Sequence, residues 1–144
     1  MGDRVIKPVT NDEVEAWPAG VLVPLSAAFS DARGAIQPLV DAPIRSAVLI
    51  SSKQGAVRAN HYHRTDWHYC YIVSGSIEYF HRPTGSSQEP ERVLLTAGQM
   101  FFTPPMTDHT MVFPEDTVFL TLGRNPRDQE SYEADVVRIA LHNP

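Results

Sequence analysis

The sequence predicts an all-β domain whose strands close into a barrel or a two-sheet jelly roll. Short apolar runs rich in Val, Ile, Leu, Phe and Tyr are separated by turn residues, and most of the twelve prolines and eight glycines fall between the runs. Roughly eleven such runs are too many for one flat sheet, which would leave long unpaired edges. The length of 144 residues suits one domain with a sizeable core and is too short for two ordinary domains.

The strand candidates follow in chain order from the apolar runs and the turn residues that bound them. They cover residues 21–25, 35–40, 45–51, 57–63, 67–73, 76–81, 92–96, 100–103, 109–113, 118–122 and 135–141. Ser74-Gly75 is predicted to join two strands as a tight hairpin, and residues 83–90 to form a polar surface loop. One short helical turn is predicted over residues 12–16, capped by Asn11 and ended by Pro18.

Residues 1–30 are predicted to form a short N-terminal arm that packs on the barrel or on a partner, and residues 31–144 to form the barrel. The net charge is −5 and the basic residues are spread singly, so neither nucleic acid nor an anionic membrane surface is an expected partner. One cysteine excludes an internal disulfide, and no apolar run has the length of a signal peptide or a membrane span. We therefore expect a cytoplasmic protein that binds a small molecule.

Four histidines, His61, His63, His68 and His109, have a spacing that lets a small barrel aim all four imidazoles at one point. Residues two apart on a strand share a face and lie roughly 6.6 Å apart, so His61 and His63 can converge on one ion. His68 can return on the neighbouring strand, and His109 can close the site. The pattern predicts a divalent metal, with Fe, Mn, Zn, Ni, Co and Cu all open. A metal-free barrel that uses a histidine as acid or base is the alternative.

Strand alternation from His68 and His109 predicts which neighbouring side chains face the barrel interior. The predicted pocket lining consists of Cys70, Ile72, Met111 and Phe113. Such a lining is small and apolar, which favours a compact ligand. His81 and His142 lie outside the pattern and are interpreted as ordinary surface or hydrogen-bonded residues.

These residues resemble the two motifs of the cupins. The first motif is matched by Gly55, His61-x-His63, His68 and Gly75, and His68 stands where cupins usually have glutamate. The second motif is matched by Gly98, Pro104 and His109. In this second motif Met106 replaces a usual glycine and Phe113 replaces a usual asparagine. The resemblance covers about residues 45–123 and implies a double-stranded β-helix barrel. Four neutral imidazoles would leave the +2 charge of the ion uncompensated, so a bound water would be a stronger acid.

A second resemblance is to cupins that act on nucleotide-linked keto-sugars. Asp31-x-Arg33-Gly34 and the stretch Val57–His63 resemble the start of those enzymes, although Ala59 replaces their glycine. The resemblance implies that Arg58 contacts a phosphate or carboxylate and that His63 acts as a base. A metal-bound His63 would have no free lone pair, so the two roles of His63 conflict.

Three functions therefore compete. Dioxygenase-like chemistry on a small oxygen-rich metabolite is slightly preferred because the predicted pocket is compact, and Arg58 and Cys70 are the candidate catalytic residues. The alternatives are a keto-sugar isomerase or epimerase, and a non-catalytic metal-dependent binding module. The outward Tyr69 and Tyr71 and the apolar run 21–29 would leave a hydrophobic face. A homodimer, which the resemblance to cupins also implies, would cover it; otherwise the arm folds over its own barrel.

Overall fold

Twelve strands and two short helices make up residues 5–141, the part of the chain that the computed structural model describes. In chain order they are α1 (Asn11–Ala16), β1 (Leu22–Val23), β2 (Phe29–Asp31), β3 (Gly34–Ile36), β4 (Ser46–Ser52), β5 (Val57–His63), β6 (His68–Ser74), β7 (Ser76–Pro83), β8 (Glu91–Thr96), β9 (Met100–Thr103), β10 (Thr107–Val112), β11 (Thr117–Gly123), α2 (Gln129–Asp135) and β12 (Val136–Arg138). The predicted all-β barrel is thereby confirmed.

Two five-stranded antiparallel sheets form the barrel, in the orders β1-β9-β6-β11-β4 and β12-β5-β10-β7-β8. Alternate side chains from both sheets meet in one hydrophobic core that includes Ile72, Phe101 and Phe119 from the first sheet and Tyr79 and Phe113 from the second sheet's side. This two-sheet arrangement leaves β2 and β3 as a separate two-stranded hairpin. Each sheet has one face in the core, which is why the strands show alternating apolar residues.

The connection at Ser74-Gly75 is not the predicted hairpin. Strand β6 pairs with β9 and β11, whereas β7 pairs with β8 and β10, so the chain crosses from one sheet to the other at Gly75. Gly75 has φ +89°, and a β-carbon there would lie 2.3 Å from Thr117 Oγ1. The crossing is therefore tight against the neighbouring chain and requires glycine.

The N-terminal segment contacts the barrel through α1. The helix begins one residue before the predicted start, with Thr10 instead of Asn11 as its cap, and Thr10 and Glu13 form a capping box. Glu13 accepts hydrogen bonds from Arg124 Nε at 2.6 Å and from Trp67 Nε1 at 3.1 Å. Because of these bonds, and although burial opposes the shift, the pKa of Glu13 is lowered to about 2.

Elements near both ends differ from the prediction. Residues 129–135 form α2, so the predicted strand over 135–141 is reduced to Val136–Arg138, and β2 was not predicted. The sequence carries the helix signal, since Asp128 accepts a hydrogen bond from Ser131 N as an N-cap. The prediction for His142 lies outside the described residues. Neither described helix is long and apolar enough to span a membrane.

A β-bulge lies immediately before His61. The pairing of β10 with β5 shifts after His109, so that Thr110 pairs with Ala59 and Asn60 is the extra residue. Ala59 has φ +69°, Asn60 has φ +56°, and Met106 across the barrel mouth has φ +55°. The left-handed region costs a residue with a β-carbon roughly 1–2 kcal/mol. Ala59 and Met106 are the two positions where the resembling motifs usually have glycine.

Replacing Ala59 with glycine should stabilise the protein. Glycine enters the left-handed region without the β-carbon clash, so Ala59→Gly is expected to raise the free energy of unfolding by about 1 kcal/mol and the melting temperature by about 3 °C. Urea and thermal denaturation measure both quantities. Ala47→Gly, on the regular part of β4, is the matched control and should lower the free energy of unfolding by roughly 0.5–1 kcal/mol. A loss of stability in Ala59→Gly equal to that of the control would show that the bulge is not strained.

Candidate functional site

Three of the four predicted histidines converge inside the barrel. The ligand nitrogens of His61, His63 and His109 lie within 4.8 Å of one another. The ring centroid of His61 lies 4.7 Å from the ring centroid of His63 and 4.7 Å from that of His109. These three residues form a cluster that could hold a metal ion, whereas the sequence predicted a cluster of four histidines.

Strand pairing explains why these residues meet. His61 and His63 are two apart on β5 and face the same side, and His109 on the neighbouring β10 lies directly opposite His61. The bulge at Ala59 and Asn60 ends the regular pairing beside this contact. Bulges commonly redirect a side chain next to a functional site.

A buried carboxylate fixes the orientation of His63. Asp135, the last residue of α2, has Oδ2 3.2 Å from Nδ1 of His63, and both side chains are almost fully buried. Strand β12 follows at once and pairs Val136 with His63, which holds the carboxylate beside the ring. With Nδ1 facing Asp135, the other nitrogen, Nε2, is left with a lone pair for a metal or a proton.

The same carboxylate organises the turn between β5 and β6. Asp135 accepts hydrogen bonds from Thr65 N at 2.8 Å, Thr65 Oγ1 at 2.6 Å and Asp66 N at 3.1 Å. Burial alone would raise the pKa of Asp135, but the bonds from His63 and Thr65 outweigh it and lower the pKa to about 2. Asp135 is therefore a carboxylate at neutral pH.

His109 shows the same pattern with a backbone acceptor. Its Nδ1 lies 2.9 Å from the carbonyl oxygen of Thr107, so Nδ1 carries the proton and Nε2 is free to act as a ligand. Burial lowers the pKa of His109 to about 3 and the pKa of His61 to about 2. Burial also lowers the pKa of His63, although the hydrogen bond with Asp135 opposes this shift. All three rings are therefore neutral at pH 7, which is the form that binds a divalent metal.

The ring of His68 lies beside this cluster. In the part of the chain that the structure describes, however, His68 is not one of the histidines whose ligand nitrogens converge. Its ring centroid is 5.0 Å from that of His63, but its Nε2 is 3.0 Å from Oδ2 of Asp66. The pKa of Asp66 is lowered because, although burial opposes it, the charge and hydrogen bond of His68 favour the carboxylate. His68 thus remains a predicted ligand, and its ring has a carboxylate partner of its own.

The histidines line a cavity of about 160 Å³. Of the predicted lining residues, Cys70 and Met111 line it, whereas Ile72 and Phe113 do not and lie fully buried in the hydrophobic core. Alternation assigned these two residues to the interior face, where they belong to the hydrophobic core and not to the cavity lining. Arg58, predicted as a phosphate contact or catalytic residue, also lines the cavity. Arg58 donates hydrogen bonds to Ser52 Oγ and to the carbonyl oxygen of Ser51, which hold it at the rim. Burial raises the pKa of the Cys70 thiol, so Cys70 is neutral.

Sequence reasoning missed the contribution of α2 to this site. Tyr132 lies with its ring centroid 5.7 Å from that of His63, and the Arg127 guanidinium lies 3.8 Å from the centre of the Tyr132 ring. Both residues line the cavity, together with Thr103. The N-cap at Asp128 was the signal that could have placed Tyr132 and Asp135, one helical turn apart, on the same helix face.

Comparisons with known proteins confirm the fold. No family model matches the sequence and no curated protein matches it. Among solved structures, the chain is similar to the QdtA 3,4-ketoisomerase of Thermoanaerobacterium thermosaccharolyticum in complex with TDP, with 21% identity over 85% of this chain and 89% of that chain and a TM-score of 0.67.

Two further solved structures agree. A 3,4-ketoisomerase from Helicobacter canadensis shares 18% identity over 78% of this chain and 85% of that chain, with a TM-score of 0.65. The dTDP-4-dehydrorhamnose 3,5-epimerase of Sulfolobus tokodaii shares 18% identity over 72% of this chain and 69% of that chain, with a TM-score of 0.60. The chain therefore has the cupin fold.

Proposed function

We propose that this protein is an isomerase or epimerase that moves a proton beside the carbonyl group of a nucleotide-linked keto-sugar. The observation that carries the proposal is the buried pair of His63 and Asp135 at the cavity, with a hydrogen-bonding distance of 3.2 Å. A histidine whose Nδ1 donates to a carboxylate keeps a basic Nε2 in a fixed position. Such a base can remove a proton from the carbon next to a ketone.

The reaction needs an acid as well as a base, and Tyr132 is placed to supply it. Its hydroxyl group is protonated at neutral pH, and it lines the same cavity as His63. His63 Nε2 would take the proton from the carbon, the C–H electron pair would form the enediol double bond, and Tyr132 would protonate the former carbonyl oxygen. Return of the proton to the former carbonyl carbon, with loss of the hydroxyl proton from the neighbouring carbon, completes an isomerisation with no net oxidation. Return of a proton to the opposite face of the carbon that lost it, with the enol proton going back to Tyr132, gives an epimerisation.

Charge at the cavity rim supports a phosphate-bearing substrate. Arg58 and Arg127 line the cavity and are exposed, and guanidinium groups bind phosphate through paired hydrogen bonds. The cavity of about 160 Å³ is smaller than the roughly 300–1,000 Å³ of ordinary ligand pockets. Only the reacting part of the sugar would enter, and the nucleotide would lie outside.

We place this function ahead of dioxygenase chemistry because it explains more of the site. Dioxygenase chemistry needs neither a base such as His63 oriented by Asp135 nor the two arginines at the cavity rim. The similar structures named above are ketoisomerases and an epimerase. A binding module would need neither an acid nor a base in the cavity.

As the alternative to a metal-free site with His63 as the base, we propose that His61, His63 and His109 hold a divalent transition metal, with His68 as a fourth ligand. The residues fit such an ion because three neutral imidazoles converge and two of them are oriented by acceptors on Nδ1. Imidazole ligands suit Fe, Zn, Ni and Cu, and Mn and Co complete the set of metals to be tested. A bound ion would polarise a substrate carbonyl, and because it would occupy Nε2 of His63, the proton would then move to another group.

Proton exchange tests the proposed reaction. The protein is incubated with dTDP-4-keto-6-deoxyglucose in deuterated buffer, and deuterium at C3 and C5 is followed by NMR and mass spectrometry. His63→Asn should slow the exchange about 100- to 10,000-fold, because it removes the base. Asp135→Asn should slow it less, because the ring remains but loses its fixed orientation.

Glu133→Gln is the control, since Glu133 is a nearby acidic residue of α2 that pairs with Arg138 at the surface. It should leave the exchange rate unchanged. Absence of deuterium uptake and of a shifted carbonyl in the folded wild type, with and without added metal, would contradict the isomerase proposal. Oxygen consumption in the same samples would then support dioxygenase chemistry.

Metal content tests the second proposal independently of turnover. Untagged protein reconstituted with each of the six metals should retain about one ion per chain by elemental analysis, and its melting temperature should rise on binding. His61→Asn and His109→Asn should each lower the metal affinity by at least tenfold, and Glu133→Gln should not. Absence of retained metal in every reconstitution would contradict the metal site but would leave the proton-transfer proposal open.

We propose that the protein forms a homodimer through exposed apolar residues of the hairpin β2–β3 and of strand β4. Phe29 and Ile36 lie opposite each other on the hairpin and are 61% and 67% exposed, and Leu49 on β4 is also 67% exposed. A two-stranded hairpin is marginally stable alone, so packing against a second copy would stabilise it. Light scattering should return twice the chain mass of 16.0 kDa, and Phe29→Glu should return a monomer.

Leu94 on β8, which is 51% exposed, provides the control for this substitution. Leu94→Glu should leave the dimer intact because Leu94 belongs to the other sheet. A wild-type monomer at micromolar concentration would contradict the dimer.

A further inference from the structure

Asn125 is a buried polar residue that neither cupin motif includes and that the proposed reaction does not use. It lies in the loop between β11 and α2 and is 4% exposed. It lies outside the lining of the histidine cavity, so it has no direct contact with a substrate there. Its hydrogen bonds nevertheless reach both of the carboxylates that contact histidine rings.

The backbone of Asn125 holds the carboxylate of Asp66. Asn125 N donates to Asp66 Oδ1 at 2.8 Å, and Asp66 Oδ2 lies 3.0 Å from Nε2 of His68. Because one carboxylate oxygen is fixed by the loop, the other is directed at the His68 ring. Gly123 at the end of β11 pairs with His68, and a β-carbon there would lie 3.3 Å from Cδ2 of His68. The segment 123–125 therefore packs directly against the pair of Asp66 and His68.

The side chain of Asn125 acts on the other carboxylate, Asp135, through the hydroxyl of Thr65. Asn125 Nδ2 donates to Thr65 Oγ1 at 2.9 Å, and Thr65 Oγ1 donates to Asp135 Oδ1 at 2.6 Å. A hydroxyl group has a single hydrogen, and the amide that donates to Thr65 directs this hydrogen toward Asp135. Asp135 Oδ1 is thereby occupied, and Oδ2 remains for Nδ1 of His63 at 3.2 Å.

Arg124 determines which way the amide of Asn125 points. Its Nη1 donates to Asn125 Oδ1 at 2.9 Å, and a guanidinium group can only donate, so the amide oxygen faces Arg124 and the amide nitrogen faces Thr65. Arg124 is largely buried and is itself held by Glu13 of α1, at 2.6 Å from Nε. A continuous series of hydrogen bonds thus runs from the N-terminal helix to the ring of His63.

We propose that Asn125 and Thr65 are positioning residues that hold Asp135, and through it the ring of His63, in the orientation that the proton transfer needs. The effect on the reaction rate rests on the proposed function, whereas the effect on the ring can be measured without turnover. Because the side chain of Asn125 acts on His63 and its backbone N–H acts on His68, changes to the side chain should affect His63 alone.

Hydrogen exchange of the ring N–H groups tests this positioning. In ¹H–¹⁵N spectra of the full chain, with and without zinc, the N–H of His63 that faces Asp135 is assigned and its exchange with water is measured. Thr65→Val removes the hydroxyl, so the exchange of this N–H should become roughly five- to tenfold faster, the change expected for loss of one hydrogen bond. Thr65→Ser keeps the hydroxyl and should restore the exchange rate of the wild type.

Asn125→Asp tests the amide donor and serves as the second variant if Thr65→Val does not fold. A carboxylate oxygen cannot donate to Thr65 and competes with Asp135 for its hydrogen, so the His63 N–H should again exchange faster. The backbone N–H of residue 125 is retained, so the N–H of His68 that faces Asp66 should keep its exchange rate.

Thr84→Val is the matched control, because Thr84 Oγ1 donates at 2.9 Å to another buried carboxylate, that of Asp108. It should leave the His63 N–H unchanged. In the proton-exchange assay, Thr65→Val should lower kcat about tenfold with little change in KM, because Thr65 lies outside the cavity lining.

Two results would overturn the positioning role. One is an unchanged His63 N–H in folded Thr65→Val and Asn125→Asp, and the other is an equal loss of protection in Thr84→Val. A wild type that shows no proton exchange with the sugar, but whose His63 N–H responds to the variants as expected, would contradict the reaction and support the positioning role.

Discussion

The carboxylate of Asp135 holds together the parts of the chain that make this site. It accepts hydrogen bonds from Thr65 and from the backbone N–H of Asp66, and it lies against Nδ1 of His63. One buried group therefore ties the end of α2 to the turn between β5 and β6 and also orients a histidine. A buried carboxylate is tolerated only when its oxygens are satisfied by donors, and here four donors surround it. Loss of any of these contacts would disturb the fold and the site together.

Backbone strain is concentrated at the same mouth of the barrel. Ala59 and Asn60 have left-handed φ values in the bulge before His61, and Met106 has another shortly before His109. Backbone N–H groups compensate part of this, since Met106 donates to the carbonyl oxygen of His63 at 2.8 Å. Strained residues persist where surrounding contacts fix them, and they are common at functional sites. The backbone keeps here the left-handed conformation that glycine usually adopts. The residues that adopt it carry a β-carbon, which makes this backbone stiffer.

The sequence predicted the elements whose signals are local. Strands such as Val57–His63 and Met100–Thr103 were placed to the residue, because apolar alternation and turn residues bound them on both sides. It failed at the crossing through Gly75, since a two-residue connection looks the same whether the strands pair or enter different sheets. It placed His61, His63 and His109 together because strand periodicity and motif spacing agree. Asp135 escaped because its partner, His63, lies 72 residues away, a separation that periodicity does not reach.

The four histidines alone suggested that nothing in the site would balance the charge of a bound divalent ion, and the structure differs on this point. Without a glutamate among the ligands, a divalent ion would keep its full charge in the first coordination sphere. The structure places two buried carboxylates directly behind the rings, Asp135 against His63 and Asp66 against His68. Two negative charges one imidazole away would balance an ion of charge +2 and also make the rings better electron donors. If no ion is bound, the same two carboxylates would strengthen His63 as a base. Both the metal-bound site and the metal-free site therefore depend on the arrangement that Asp135 and Asp66 impose.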